Sequence, residues 1–212
     1  DANAVARVLE KAGFTVDLKL NASQKQIQDA IQQLGSRLRG DAVGLFYFAG
    51  HGVQINGKNY LIPVGVDVRQ QNDIVARTVD VQQLLDRMGG ARNRMNVVIL
   101  DACRDNPFSG DGRSGAGGLS QLDAPTGSLI AFATAPGRVA SDGKGANGLY
   151  TQHLLANIER GATPIEDVFK RVRLGVRLDS KGVQIPWEST SLDIDFSFFP
   201  AKGLQPAVAP PG

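Results

Sequence analysis

Two stretches decide the fold: Val43-Gly44-Leu45-Phe46-Tyr47-Phe48-Ala49-Gly50-His51-Gly52 and Val97-Val98-Ile99-Leu100-Asp101-Ala102-Cys103-Arg104-Asp105. Each is an apolar run too short for a typical helix and rich in β-branched or aromatic residues, and each stops at a reactive side chain. The pattern predicts two buried parallel strands that deliver His51 and Cys103 to one edge of a sheet.

Working outward, helical and strand periods alternate. Residues 2–12 carry Val5, Val8, Leu9 and Ala12 at helical spacing, and Gly13 ends the run. Phe14 to Leu20 alternates and predicts a strand. Ser23 with Gln26 forms a capping box that opens a helix to about Arg39, with Ile27, Ala30, Ile31, Leu34 and Leu38 inward. Asn56-Gly57, between Ile55 and Tyr60, predicts a hairpin turn. Residues 66–77 read as an irregular connection, Val79 to Met88 as a short helix, and 104–127 as a long glycine-rich loop. A loop of that length in a compact domain is usually functional or disordered. Ser128 to Thr134 predicts a third buried strand, 135–145 another loop, and 147–160 a helix. Thr163-Pro164-Ile165-Glu166 predicts a capped helix start, and Ile194 to Phe199 a last alternating strand.

This order predicts an α/β protein: a three-layer α/β/α sandwich with a mainly parallel sheet. In such sheets the site lies beyond the carboxyl ends of the strands, where His51 and Cys103 are expected. One domain is expected over 1–199, divisible at about residue 125. The proline-rich segment 200–212 reads as a linker or tail, beyond which further domains are expected in a parent chain.

The bulk numbers narrow the function. The chain has 212 residues, 42% of them hydrophobic and 21% charged, in the range of a soluble globular domain. The formal charge of +2 gives no reason to expect a nucleic-acid or membrane partner. No apolar run approaches bilayer length and no signal peptide is visible. A cytoplasmic setting is favoured, although the chain opens mid-pattern on Asp1-Ala2-Asn3 without Met, which also suits loss of an export signal. With one cysteine and two histidines there is neither an internal disulfide nor a metal-ligand cluster, so no metal is expected. The acids lack EF-hand spacing, so no obligatory calcium and no other cofactor is expected.

A thiolate is a strong nucleophile, and a neighbouring histidine can take its proton and later protonate a leaving amine. Taken singly, a lone cysteine is most often core packing and a histidine a hydrogen-bonded core residue. Their joint position at equivalent strand ends favours a catalytic pair. The backbone N–H groups of Gly52 and Cys103 would then form an oxyanion hole. His153, in a helix, reads as structural.

These motifs resemble a known family. Caspases carry a Q-A-C-[RQG]-G signature with the histidine about 50 residues upstream. This chain has Asp101-Ala102-Cys103-Arg104-Asp105, and His51 lies about as far upstream of Cys103 as in that signature. Tyr47-Phe48-Ala49-Gly50-His51-Gly52 is similar to the histidine motif of metacaspases and bacterial caspase-like peptidases (orthocaspases). The resemblance covers Asp1 to about Phe199. It implies the caspase-haemoglobinase fold, whose first strand would precede Asp1, a p20-like part to about 125 and a p10-like part from 126. It also implies thiol endopeptidase activity on protein or peptide substrates.

Caspases favour an acidic P1 residue through arginines in their S1 pocket. Here Asp101 stands where caspases have Gln, and strand alternation puts it on the face of Cys103. In metacaspases the matching aspartate lies at the bottom of S1, with a second from an Asn-Asp-Ala motif. Asp1-Ala2 matches the end of that motif. Two carboxylates in one pocket favour Arg or Lys at P1. The alternatives are a solvated helix cap for Asp1 and a turn-holding carboxylate for Asp101. Asp142 is a further S1 candidate, with a turn role as its alternative, and Trp187 is a candidate subsite wall or core residue. Metacaspases commonly carry serine at the position of Ala49. Arg113 and Lys144 are candidate self-processing points. The rival readings are a same-fold peptidase with another P1 preference, a silent scaffold that binds peptides or partners, and a hydrolase of non-peptide acyl groups.

Overall fold

The computed structural model describes residues 1–68, 70–103, 119–135 and 147–199, except the side chains of Gln71 and Cys103. The expectations for Arg113, Asp142, Lys144, the 200–212 tail and most of both long loops therefore fall outside the described residues.

The chain builds six strands and six helices among the described residues: α1 (Ala2–Lys11), α2 (Gln24–Arg37), β1 (Gly40–Ile55), β2 (Lys58–Ile62), α3 (Gln71–Arg77), β3 (Val79–Asp80), α4 (Val81–Gly89), β4 (Asn93–Cys103), β5 (Ser128–Phe132), α5 (Leu149–Ile158), α6 (Ile165–Asp179) and β6 (Trp187–Thr190). The sheet order is β3-β2-β1-β4-β5-β6. Its centre, β1-β4-β5, is parallel, and its margins pair antiparallel, β2 on β1, β3 on β2 and β6 on β5. The sheet is therefore mixed, mostly parallel at its centre, with helices on both faces.

Side-chain alternation on the central strands separates two cores. Met95, Val97 and Ile99 of β4 join Leu129 and Ala131 of β5 under α1, α5 and α6. Val98, Leu100 and Ala102 join Ile130 and Phe132 under α2 and α4. All of these side chains are buried, which accounts for the unbroken apolar sequence of both strands. The helix α2 starts as its sequence predicts. Ser23 Oγ accepts from the Gln26 N–H and Gln26 Oε1 accepts from the Ser23 N–H at 2.8 Å. The hairpin turn also forms, with Asn56 at φ 51° and Gly57 at φ 78°, the left-handed pair that an Asn-Gly turn supplies.

Six expectations are corrected. Residues 14–20 and 194–199 alternate but are not strands. Alternation buries one face, and here rings do so without a ladder: Phe14 meets Phe196 edge-on and Phe198 at a tilt, each at 6.4 Å between centroids. The last strand is Trp187–Thr190 instead. Helix α3 lies within the stretch read as irregular, where the fully buried Ile74 anchors it against the small core of Val53, Ile55 and Tyr60. The expected helix from Val79 begins two residues later, because Val79 and Asp80 first pair with Leu61 and Tyr60. The Thr163 capping box does not form. Pro164 is the N-cap without a side-chain bond, and the Ile165 N–H is taken by the Phe196 carbonyl at 2.9 Å.

The sixth correction bears on the site. Strand β1 does not stop at His51. It runs parallel to β4 up to His51 and then continues to Ile55 paired antiparallel with β2. Strand β4 ends at Cys103, so β1 outgrows its parallel neighbour and takes the hairpin as its partner. Between Asp41 and Gly50 the opposite edge of β1 has no ladder partner among the described residues. No helix among them is long and apolar enough to cross a membrane.

Candidate active site

The parallel ladder pairs His51 with Cys103, Gly50 with Ala102 and Ala49 with Asp101. Paired strands lie about 4.8 Å apart, so the two expected reactive residues leave adjacent points of the sheet's carboxyl edge. His51 is exposed. Gly52 is buried, and a Cβ on it would lie 3.1 Å from Leu119 Cδ2 and 3.2 Å from Ala102 Cβ. A side chain there would force Leu119 or Ala102 to shift by a few tenths of an ångström, independently of any catalytic need.

The segment that follows the glycine-rich loop is fastened to the β1-β2 hairpin. Asn59, 2% exposed, receives the Ser120 N–H on Oδ1 at 2.6 Å and donates from Nδ2 to the Ser120 carbonyl at 2.9 Å. The Ser120 hydroxyl donates to the Gly57 carbonyl. Leu119 is thereby held under Gly52, fully inside the core.

The acidic residues gather at the N-terminus of α5. Asp1 is the N-cap of α1 but does not cap it with its side chain. Its Oδ1 accepts instead from the N–H of Gly148, the N-cap of α5, at 2.8 Å. Asp101, 9% exposed, accepts at Oδ2 from the Thr151 hydroxyl at 2.6 Å. A Cβ placed on Gly148 would lie 3.6 Å from Asp1 Oδ2 and 3.8 Å from Asp101 Oδ2. The two carboxylates therefore face a common point. A side chain on Gly148 would stand in van der Waals contact with both of them. Two like charges this close repel, and the positive end of the α5 dipole offsets part of that cost.

Asp101 also marks its surroundings electrically. Tyr47 and Tyr150 both ionise well above the ordinary tyrosine range, first because burial removes water and second because the Asp101 charge opposes a phenolate. The Tyr150 hydroxyl is buried without a hydrogen-bond partner among the described residues.

Sequence reasoning named Asp1, Asp101, His51, Gly52 and Cys103, and the fold places them along one edge. It missed Tyr47, Thr151, Gly148 and Asn59. The signal for Thr151 is a hydroxyl residue within the turn that precedes the buried Leu154. His153, expected to be structural, has its ring over Gly175 and its Nε2 2.8 Å from Asp179 Oδ2. Trp187 is partly exposed on the edge strand β6, opposite Phe132. Its neighbour Glu188 pairs with both Arg173 Nε and Nη2, tying β6 to α6. Among the described residues no group of three or more His, Cys, Asp or Glu could hold a metal ion. A groove of about 600 Å³ between α2 and α4, lined by Gln28, Gln32, Gln83, Asp86 and Arg87 among others, contains none of the site residues.

A central parallel sheet with helices on both faces and a histidine strand beside a cysteine strand is the plan of a caspase-type peptidase domain. The family model for the caspase domain matches residues 1–197, and the chain belongs to that family of cysteine peptidases. It is similar to human mucosa-associated lymphoid tissue lymphoma translocation protein 1, 27% identical over 106 residues, and equally to its mouse homolog. Those matches cover 49% of this chain and 12% of each relative, so the chain spans a small part of their length.

Proposed function

We propose that this chain is a cysteine endopeptidase, of the metacaspase type within its family, that cuts peptide bonds after arginine or lysine. The observation that carries the reading is the convergence of Asp1 and Asp101 on Gly148, next to the strand ends of His51 and Cys103. A P1 guanidinium or ammonium in that space would meet two carboxylates, and an acidic P1 residue would be repelled.

In this reading His51 removes the proton from the Cys103 thiol, and the thiolate attacks the scissile carbonyl carbon. The N–H groups of Gly52 and Cys103 hold the resulting oxyanion. His51 then gives its proton to the departing amine. Water, deprotonated by His51, attacks the thioester, releases the new carboxyl terminus and returns the thiol. The anchored Leu119 supports this role for Gly52, because it fixes the backbone on which the oxyanion would rest. Arg113 and Lys144 have the side chains that the same pocket accepts and are proposed as self-processing points. An Arg113→Ala protein that matures and cleaves normally removes Arg113 from that role.

The test is hydrolysis of matched fluorogenic peptides carrying Arg, Lys or Asp at P1, by the wild-type protein and by Cys103→Ala. Cleavage after Arg and Lys that disappears in Cys103→Ala is the expected result. Preferred cleavage after Asp contradicts the charge argument, and cleavage retained in Cys103→Ala contradicts the nucleophile.

A further inference from the structure

Asp101 accepts from a hydroxyl that is itself bonded to a second one. Thr151 Oγ1 donates to Asp101 Oδ2 at 2.6 Å and lies 2.6 Å from the Tyr47 hydroxyl. Proton counting gives this chain a direction. An ionised carboxylate only accepts, and threonine has one hydroxyl proton, which goes to Asp101. The Thr151 oxygen must then accept from Tyr47, so Tyr47 donates to Thr151 and Thr151 donates to Asp101. Three elements contribute one residue each: β1, α5 and β4. Burial and the Asp101 charge keep the Tyr47 phenol protonated well beyond neutral pH, so the first donor is always available.

Across the ladder, Asp101 faces Ala49, which offers only a methyl group. The hydroxyl that fixes its Oδ2 therefore comes from the helix. Thr151 is fully buried, and its backbone stands in the first turn of the helix whose N-cap bonds Asp1. One helix end thus sets the geometry of both carboxylates.

We propose that Tyr47 and Thr151 are positioning residues for P1 selectivity, holding the Asp101 carboxylate in the plane that a guanidinium fork requires. This rests on the reading of Asp1 and Asp101 as the P1 pocket. A guanidinium presents two coplanar N–H groups and needs a matching carboxylate plane. An ammonium is a compact charge with rotatable donors and tolerates a turned carboxylate. The relay therefore favours arginine over lysine through two hydroxyls that do not touch the substrate.

The experiment compares kcat and KM for matched P1-Arg and P1-Lys peptides in the wild type, Tyr47→Phe, Thr151→Val, Thr151→Ser and Asp101→Asn. The alkylation rate of Cys103 by iodoacetamide is measured in each. In Thr151→Val, kcat/KM for P1-Arg falls about tenfold or more, mainly through KM, while P1-Lys falls by less than about threefold. Tyr47→Phe lowers the Arg-to-Lys ratio by about threefold. Thr151→Ser keeps the wild-type ratio, and alkylation is unchanged throughout. An unchanged ratio in Thr151→Val, with activity lost in Asp101→Asn, overturns the relay and leaves the pocket standing. Arginine preference retained in Asp101→Asn overturns both. If Thr151→Val does not fold, Tyr47→Phe decides, and an unchanged ratio there overturns the proposal.

Discussion

On one face of the sheet, α2 and α4 press Ile27, Ile31, Leu84, Leu85 and Met88 against Val98, Leu100 and Ala102. On the other, α1, α5 and α6 cover Val97 and Ile99, but toward the strand ends their layer admits Asp101, Tyr47, Tyr150 and Thr151. Both faces are made from the same two strands, one residue out of step. The first face gains its stability mainly from apolar burial, with the buried Asn96 bonded to the Met88 carbonyl. The second encloses a carboxylate, which is costly unless hydrogen bonds and a helix dipole receive it. A fold does not acquire such a group for stability, since apolar residues of similar volume would serve at least as well. The proposed function assigns the polar cluster on one face to substrate recognition and the mainly aliphatic face opposite to its support.

The sharpest way to break this contrast is Asp101→Asn. Removing the charge is expected to lower P1-Arg turnover by more than about a hundredfold, the scale of a broken buried charge pair, with the thermal midpoint close to wild type. Steady-state kinetics and a melting curve check both halves. A large loss of stability with turnover intact would assign Asp101 to the scaffold. Leu84→Ala, on the aliphatic face, should do the reverse. Leu84 is fully buried, so truncation should cost about 2–5 kcal/mol in urea denaturation, with kcat/KM per folded molecule unchanged.

Alkali should separate the faces more gently. In the unfolded chain Tyr47 and Tyr150 lose their protons near the ordinary tyrosine value of about 10, and in the folded chain only at higher pH. Unfolding therefore releases protons above that value, and stability falls as pH rises through it and on toward the folded-state values. Tyr47→Phe should flatten this loss when urea midpoints are followed into alkali. An unchanged slope would show that Tyr47 is not shielded. The smallest effect expected is that of Ser23→Ala, which breaks the α2 capping box. It should cost about 1 kcal/mol by denaturation and leave P1 selectivity untouched, because α2 lies on the supporting face.

Much of this was legible in the sequence because the decisive signals are local. Two apolar runs ending at His51 and Cys103 specify buried central strands, and the parity of 101 and 103 puts Asp101 on the right face. The Ser23 box and the Asn56-Gly57 turn need only neighbouring residues. What was not legible depends on partners distant in the chain. The alternation of 14–20 and 194–199 serves a ring cluster that neither segment reveals alone. The Thr163 cap lost its role to the Phe196 carbonyl, 33 residues away by number but adjacent in the fold. Strand β1 continues past His51 because β2 folds back on it, which the glycines around His51 concealed. Thr151 and Tyr47 were invisible as site residues because their meaning comes from a carboxylate on a third element.

The central claim is that the Asp1 and Asp101 pocket reads charge at P1, and one comparison tests it most directly. Citrulline has the shape of arginine without its charge. Matched peptides differing only in Arg or citrulline at P1 should be cleaved with kcat/KM values more than about a hundredfold apart in favour of Arg, since the uncharged side chain leaves two carboxylates unpaired. Equal cleavage of the two peptides would contradict the account.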